Sequence, residues 1–224
     1  MKDLNVYNLV RCLPSGKVTT YADLGRLLGN RYLARAVGNA LHRNPDGDGT
    51  ACFRVLNAAG KTAPGFAFGG PGEQADRLMA DGICVQNGQV NLSRYRWVPS
   101  VSDPLLCLRP HHLLCCLFFR GAGYSKLFTA AMKEVCHRLE TEDCVLVCGG
   151  DVLCSACPHF VAGCCECGGR AERYDERVLK RINREYGDRI GAAERRDLLQ
   201  KEILDSGFFG SVCPDCEWAG ICHI

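Results

Sequence analysis

The chain has 224 residues, 47% of them hydrophobic, with 17 cysteines and a formal net charge of +2, a length that suits one large domain or two modest ones. Residues 1–98 hold three cysteines and twelve Lys/Arg against seven Asp/Glu (+5); residues 99–224 hold fourteen cysteines and fifteen Lys/Arg against eighteen Asp/Glu (−3). The opening Met1 to Asn5 has no apolar core of signal-peptide length, and no later run approaches a membrane span, so the expected setting is a reducing cytoplasm with no membrane contact. There, so many thiols point to a metal or an iron–sulfur cluster rather than to disulfides.

In chain order, Asn5 to Cys12 has apolar residues at 6, 9 and 10 and predicts a short helix stopped before Pro14. Pro14-Ser15-Gly16 is a turn, and the β-branched Val18-Thr19-Thr20 is extended. Thr20 can cap a helix from Tyr21 to Leu28 with Leu24, Leu27 and Leu28 facing inward, and Gly29-Asn30 ends it. A second helix is predicted over residues 31–42 with Leu33, Val37 and Leu41 inside, giving a helix-turn-helix pattern. A strand is predicted over residues 52–56, a glycine-rich loop over 63–72, a helix over 73–81 and a hairpin over 85–92 turning at Asn87-Gly88. Residues 99–104 are the expected linker. Beyond it, Leu113 to Phe119 predicts a buried helix, and Ser125 caps one reaching about Leu139. Its expected stripe is Leu127, Ala131, Met132, Val135 and Leu139. A strand at 145–147, a cysteine-rich loop over 154–167, and charged helices over 172–186 and 192–205 complete the rear.

In the front half the strings Pro14-Ser15-Gly16-Lys17-Val18-Thr19-Thr20-Tyr21, Ala34-Arg35-Ala36-Val37-Gly38, Asn44-Pro45, Ala51-Cys52-Phe53-Arg54-Val55 and Val90 to Trp97 occur in that order. Over residues 5–98 they resemble the O6-alkylguanine-DNA alkyltransferases, and more closely the shortened alkyltransferase-like proteins. The resemblance implies a winged-helix-like domain whose second motif helix enters the minor groove, with an arginine filling the place of an extruded nucleotide. Arg35 matches that arginine, and a planar guanidinium suits stacking better than an ammonium does. Gly38 and its small neighbours would let the helix backbone approach DNA. Tyr21 matches the tyrosine beside the target phosphate and Asn44 the asparagine of the reactive loop, a position that turn chemistry before Pro45 also explains. Arg54 is counted with these DNA-binding residues.

Cys52 carries two readings. The transferases use Pro-Cys-His-Arg, in which a thiolate takes the alkyl group. Here the string is Ala51-Cys52-Phe53-Arg54, and Asp81 stands at the position of the supporting glutamate. Losing a positioned base costs about 10²–10⁴-fold, which favours recognition of the alkylated base over one-turnover transfer to Cys52. A small buried hydrophobe at position 52 fits the first reading.

In the rear half, Cys154-x-x-Cys157, Cys165, and Cys213-x-x-Cys216 with Cys222 form a metal-ligand pattern. Together with Leu108-Arg109-Pro110-His111-His112-Leu113-Leu114-Cys115 and Tyr174-Asp175, they resemble, over residues 105–224, uncharacterised proteins suspected of holding an iron–sulfur cluster. Four thiolates suit a 4Fe–4S cluster or a tetrahedral zinc, and Cys115 is a further candidate. His111 and His112 either ligate, act as acid and base, or simply open a helix. The expectation is a mainly α protein with short β elements: a helix-turn-helix reader of double-stranded DNA carrying alkylated bases, joined to a mostly helical metal domain and flagging lesions for other repair proteins. A metal or redox protein tethered to DNA is the remaining alternative.

Overall fold

The computed structural model describes residues 1–47, 49–161 and 164–222, and its contacts divide the chain into two units, Met1–Val98 and Pro99–Ile224. Part of the cysteine-rich loop expected over residues 154–167 therefore lies outside the described residues. The architecture is mainly helical with short strands. No helix among the described residues is long and apolar enough to cross a membrane.

In the first unit, α1 (Asp3–Arg11) packs on α3 (Ala34–His42), tied by the Tyr7 hydroxyl donating to the Ala40 carbonyl at 3.0 Å. Strand β1 (Thr19–Thr20) leads into α2 (Tyr21–Leu27), where the Thr20 hydroxyl accepts from the Asp23 amide at 3.1 Å, the expected N-cap. Leu24, Leu27 and Leu28 are buried as their spacing implied. A Cβ on Gly25 would meet the Asn30 carbonyl oxygen at 2.9 Å, so the tight α2–α3 turn needs glycine there. The second helix begins later than expected. Arg31–Leu33 is a 3₁₀ turn, whose Tyr32 amide is capped by the Asn30 side chain, and α3 proper starts at Ala34.

The strand expected over 52–56 is shorter. Cys52–Arg54 is a 3₁₀ turn, and only β2 (Val55–Leu56) pairs, parallel to β1. The Gln74 side chain explains the difference. It donates at 3.0 Å to the carbonyls of Phe53 and Val55, satisfying backbone groups that a longer ladder would have paired. Gln74 lies on α4 (Glu73–Ala80), ahead of the hairpin β3 (Val85–Gln86) and β4 (Gln89–Val90). Asn87 and Gly88 both have positive φ, 50° and 69°, as the predicted two-residue turn requires. Val18, Leu56, Leu78, Ile83 and Val90 form the core beneath it. A last short helix, α5 (Leu92–Tyr95), closes the unit, and Val18 bonds back to Tyr95 and Trp97.

The second unit is built on a three-stranded sheet that periodicity only partly revealed: β5 (Leu106–Leu108) parallel to β6 (Cys144–Leu146), which is antiparallel to β9 (Arg189–Ile190). Helix α6 (Pro110–Phe118) starts on proline and packs on α8 (Arg170–Ile182). Helix α7 (Lys126–Arg138) has the expected Ser125 cap, accepting from the Phe128 amide at 3.0 Å. Leu127 departs from the expected stripe and is 68% exposed, while Ala131, Met132, Val135 and Leu139 are buried. Each i+4 step overshoots a full turn by about 40° at 3.6 residues per turn, so 127 lies well round from 135. The cysteine-rich stretch forms a 3₁₀ turn at Cys154–Ala156 and the ribbon β7 (Phe160–Val161) and β8 (Cys164–Cys165). Helix α9 (Ala192–Leu199) runs into a π-turn at Gln200–Leu204, and short helices α10 (Phe209–Val212) and α11 (Ala219–Cys222) follow. The expected linker is docked: Arg138 bonds the carbonyls of Val101 and Asp103, and Asp103 is buried.

Candidate nucleic-acid interface and thiol cavity

Helix α3 presents Arg35 to solvent, with no hydrogen bond or ion pair to any described residue. Other arginines of the unit are engaged: Arg43 with Asp3, Arg96 and Arg26 with Asp23, and Arg54 with Asp81. The Tyr21 ring lies against Gly38, at 3.7 Å from where a Cβ would stand. Gly38 therefore seats Tyr21 as well as thinning the helix surface. Just before α3, Arg31 and Tyr32 are both exposed, and the guanidinium lies 5.0 Å from the ring centroid. Sequence reasoning passed over this pair, although a cation beside an aromatic at a recognition helix is a legible signal.

Cys52 is 4% exposed. Burial pushes its thiol above the ordinary value, partly countered by the Asn44 amide, which donates to Sγ at 3.2 Å. Asn44 also donates to the Asp46 carbonyl and accepts from the Asp46 amide, so it serves both as the turn and as the group holding the sulfur. The Cys52 thiol in turn adds to the burial that raises the Tyr21 hydroxyl. The Asp81 carboxylate is engaged by Arg54. Its oxygens accept two 2.7 Å bonds from Arg54 and one at 3.0 Å from the Gly16 amide. Arg54 also reaches the Leu13 carbonyl and Ser15 hydroxyl. Arg54 and Asp81, expected at the DNA and near the reactive cysteine, form a largely buried clamp joining the β2 region to the loop before β1, in which Asp81, Leu13 and Ser15 take four of the five guanidinium N–H donors. Phe68, in the glycine-rich loop, packs so closely on Gly47 that a Cβ there would lie 2.3 Å from the ring.

In the second unit, all six predicted cysteines and Cys115 line one cavity of about 260 Å³, and Cys167, which spacing did not single out, lines it too. Their thiols feel one another. Burial raises Cys115 well above the usual range, and Cys216, Cys213 and Cys222 raise it further. Burial likewise takes Cys213 up to about 11, with Cys216 and Cys222 adding to the rise. Cys167 behaves oppositely. Burial would raise it, but the Ala171 amide at the start of α8, 3.4 Å from its sulfur, and the Cys165 thiol bring it below the ordinary value. Beside the thiols, His111 and His112 are held by Asp175 and Asp151 at 2.7 and 2.6 Å. Arg109, 1% exposed, bonds Asp175 at 2.7 Å and Glu172 at 3.0 Å. Among the described residues, only His112, Asp151 and Cys154 bring three ligand atoms within 4.8 Å of one another.

Fold and site together define a helix-turn-helix module with an unengaged arginine on its second helix and a buried cysteine behind it, followed by a unit organised around thiols. Residues 2–83 match the family model described as the DNA-binding domain of 6-O-methylguanine DNA methyltransferase, and residues 123–222 match a family described as a protein of unknown function, DUF1284. A DNA base-flipping protein of Escherichia coli is 40% identical over 95 residues, covering 41% of this chain and 70% of that protein. A bifunctional methyltransferase/endonuclease of Picrophilus torridus is 40% identical over 92 residues; the match covers 41% of this chain but only 30% of that protein. The solved structure of S. pombe Atl1 in complex with damaged DNA containing O6-carboxymethylguanine is 30% identical, covering 44% of this chain and 98% of that one, with a TM-score of 0.41. Through its first unit the chain belongs to the alkyltransferase-like, DNA base-flipping family.

Proposed function

We propose that the chain binds DNA carrying O6-alkylguanine-type lesions, swings the damaged nucleotide out of the stack with Arg35 in its place, and holds it without repair. The reading rests on one observation above the others: Arg35 is exposed and unengaged on α3, whereas Arg26, Arg43, Arg54 and Arg96 are ion-paired. A guanidinium free of protein partners is available to stack between bases. Tyr21, Arg31 and Tyr32 flank it and serve as phosphate and groove contacts. Family membership and the names of its relatives support the same reading, and it puts the chain with the DNA in the cytoplasm. The complex then marks the lesion for other repair proteins.

Transfer to Cys52 is the lesser reading. Thiolate is the nucleophile, whereas this thiol is buried and raised, Phe53 replaces a base, and Asp81 is bound to Arg54. A duplex with 2-aminopurine next to O6-methylguanine tests the proposal. Its emission rises as wild-type protein unstacks the lesion, and the rise is lost with Arg35→Ala. An equal rise with that variant would remove Arg35 from the mechanism.

For the second unit we propose a metal group held by thiolates of the cavity, in favour of which stands the convergence of eight cysteines on one space. Soft thiolates suit iron–sulfur and zinc alike. Tetrahedral zinc with Zn–S about 2.3 Å draws its sulfurs to about 3.8 Å apart, whereas no three cysteine sulfurs among the described residues meet within 4.8 Å. The wider spacing favours a polynuclear cluster, 4Fe–4S, whose chemistry when bound is one-electron exchange or structural bracing. Anaerobic purification with metal analysis checks it: brown protein with iron and sulfide is the expected result, and colourless protein with stoichiometric zinc contradicts it.

A further inference from the structure

The histidines at the start of α6 are explained neither by cysteine spacing nor by the family match, which begins at residue 123. With Pro110 opening the helix, His111 and His112 sit side by side in its first turn, ring centroids 4.3 Å apart, and both line the thiol cavity. Each ring is held from behind. His111 Nδ1 meets Asp175 Oδ1 at 2.7 Å and His112 Nδ1 meets Asp151 Oδ2 at 2.6 Å.

The carboxylates decide where the imidazole protons lie. Asp151 accepts from the amides of Arg109, Leu153 and Cys154, and Asp175 accepts from Arg109 Nε and the His111 amide. Both are surrounded by donors and act as ionised acceptors, so each histidine donates through Nδ1 and keeps its lone pair on Nε2. Neither Nε2 has a hydrogen-bond partner among the described residues, and the side chains are only 13% and 14% exposed. A pair with a purely structural role would use Nε2 or turn it to water. An imidazole held at one nitrogen by a carboxylate, with the other open to a cavity, is the usual state of a metal-ligating histidine. Asp151 also keeps Cys154 beside His112, an imidazole nitrogen, the carboxylate and the thiol lying within 4.8 Å of one another. With the amides of Arg109, Leu153 and Cys154 and the His112 ring already on its two oxygens, Asp151 is the positioning residue rather than a ligand.

We propose that His111 and His112 present Nε2 as nitrogen ligands to the metal group of this cavity, His112 alongside Cys154 Sγ, making the centre mixed imidazole–thiolate. The proposal rests on the metal reading above and deepens it. The full chain is reconstituted anaerobically with ferrous iron and sulfide, reduced, and examined by pulsed EPR for strongly coupled ¹⁴N. Coupling is expected in the wild type, reduced in His112→Ala and absent in the His111→Ala/His112→Ala double variant. His112→Cys retains iron with weaker nitrogen coupling and a lower reduction potential, because thiolate replaces a neutral donor. Should the chain take zinc instead, cobalt(II) substitution asks the same question through its ligand-field spectrum. Bound metal with no nitrogen coupling, or a spectrum unchanged in the double variant, overturns this inference alone. A chain that binds neither iron nor zinc overturns the metal reading and this inference together.

Discussion

The Cys52 sulfur is buried, with the Asn44 amide as its donor and no imidazole bonded to it among the described residues. Because burial raises its thiol, the reactive thiolate fraction at neutral pH is smaller than that of an ordinary cysteine, near 8.5. Iodoacetamide at pH 7.5 should therefore modify exposed Cys84 well before Cys52, and labelling of Cys52 should climb only above the ordinary thiol range; peptide mass analysis reads both. Equal labelling would contradict the account, as would methyl on Cys52 after incubation with an O6-methylguanine oligonucleotide. Arg54 makes the opposite case. Its side chain and that of Asp81 are 12% and 11% exposed, and removing one partner of such a pair strands the other. Arg54→Ala should lower unfolding stability by about 3 kcal/mol in urea titration, a loss unexpected of a surface phosphate contact. Sequence reasoning placed Arg54 at the DNA because a string of letters carries no partner; the Arg54–Asp81 pairing spans 27 positions.

Elements α2 and α3 were legible because their determinants are local: the Thr20 cap, the leucine spacing and the Gly29-Asn30 stop. What escaped was set by distant groups or by brevity. Gln74 shortened the strand at 52–56 from another helix, β5 is buried throughout, and β9 is only two residues long. The α2 N-terminus gives a pH test. Burial would raise the Asp23 carboxyl, but bonds from Arg96 and Thr20 outweigh it and hold it below the ordinary value. A depressed carboxyl stabilises the fold above its unfolded pKa, about 3.9, and that contribution is lost as pH falls through the folded value. The melting temperature of the wild type should thus drop on acidification below about pH 4, and Asp23→Asn should flatten part of that drop. Thr20→Ala should cost about 1 kcal/mol through the lost cap.

At the scale of the whole molecule, the cysteine pattern announced the thiol cavity, whereas for His111 and His112 the sequence left ligation as one of three readings. His111 and His112 look like a helix start until Asp151 and Asp175 are brought to them from about 40 and 64 residues away. The two units should be separable in function. If the second unit holds the proposed metal group, its loss to a chelator should remove the low-energy absorption and lower the melting of that unit, yet leave the preference for damaged DNA intact. If that preference vanished with the metal, the reading of the first unit as sufficient for recognition would be wrong. Binding should also weaken with salt, and the slope of log K against log salt should shrink by about one for each phosphate-contacting cation removed. Removing Arg35, the proposed stacking group, should change lesion preference more than that slope.

The most direct test is an anisotropy titration of the full chain with two duplexes that differ only in one O6-methylguanine. Stacking and pocket contacts of about 1–3 kcal/mol predict roughly 5–150-fold tighter binding to the lesion duplex, with the preference collapsing in Arg35→Ala. Equal affinity of the wild type for the two duplexes would contradict the account.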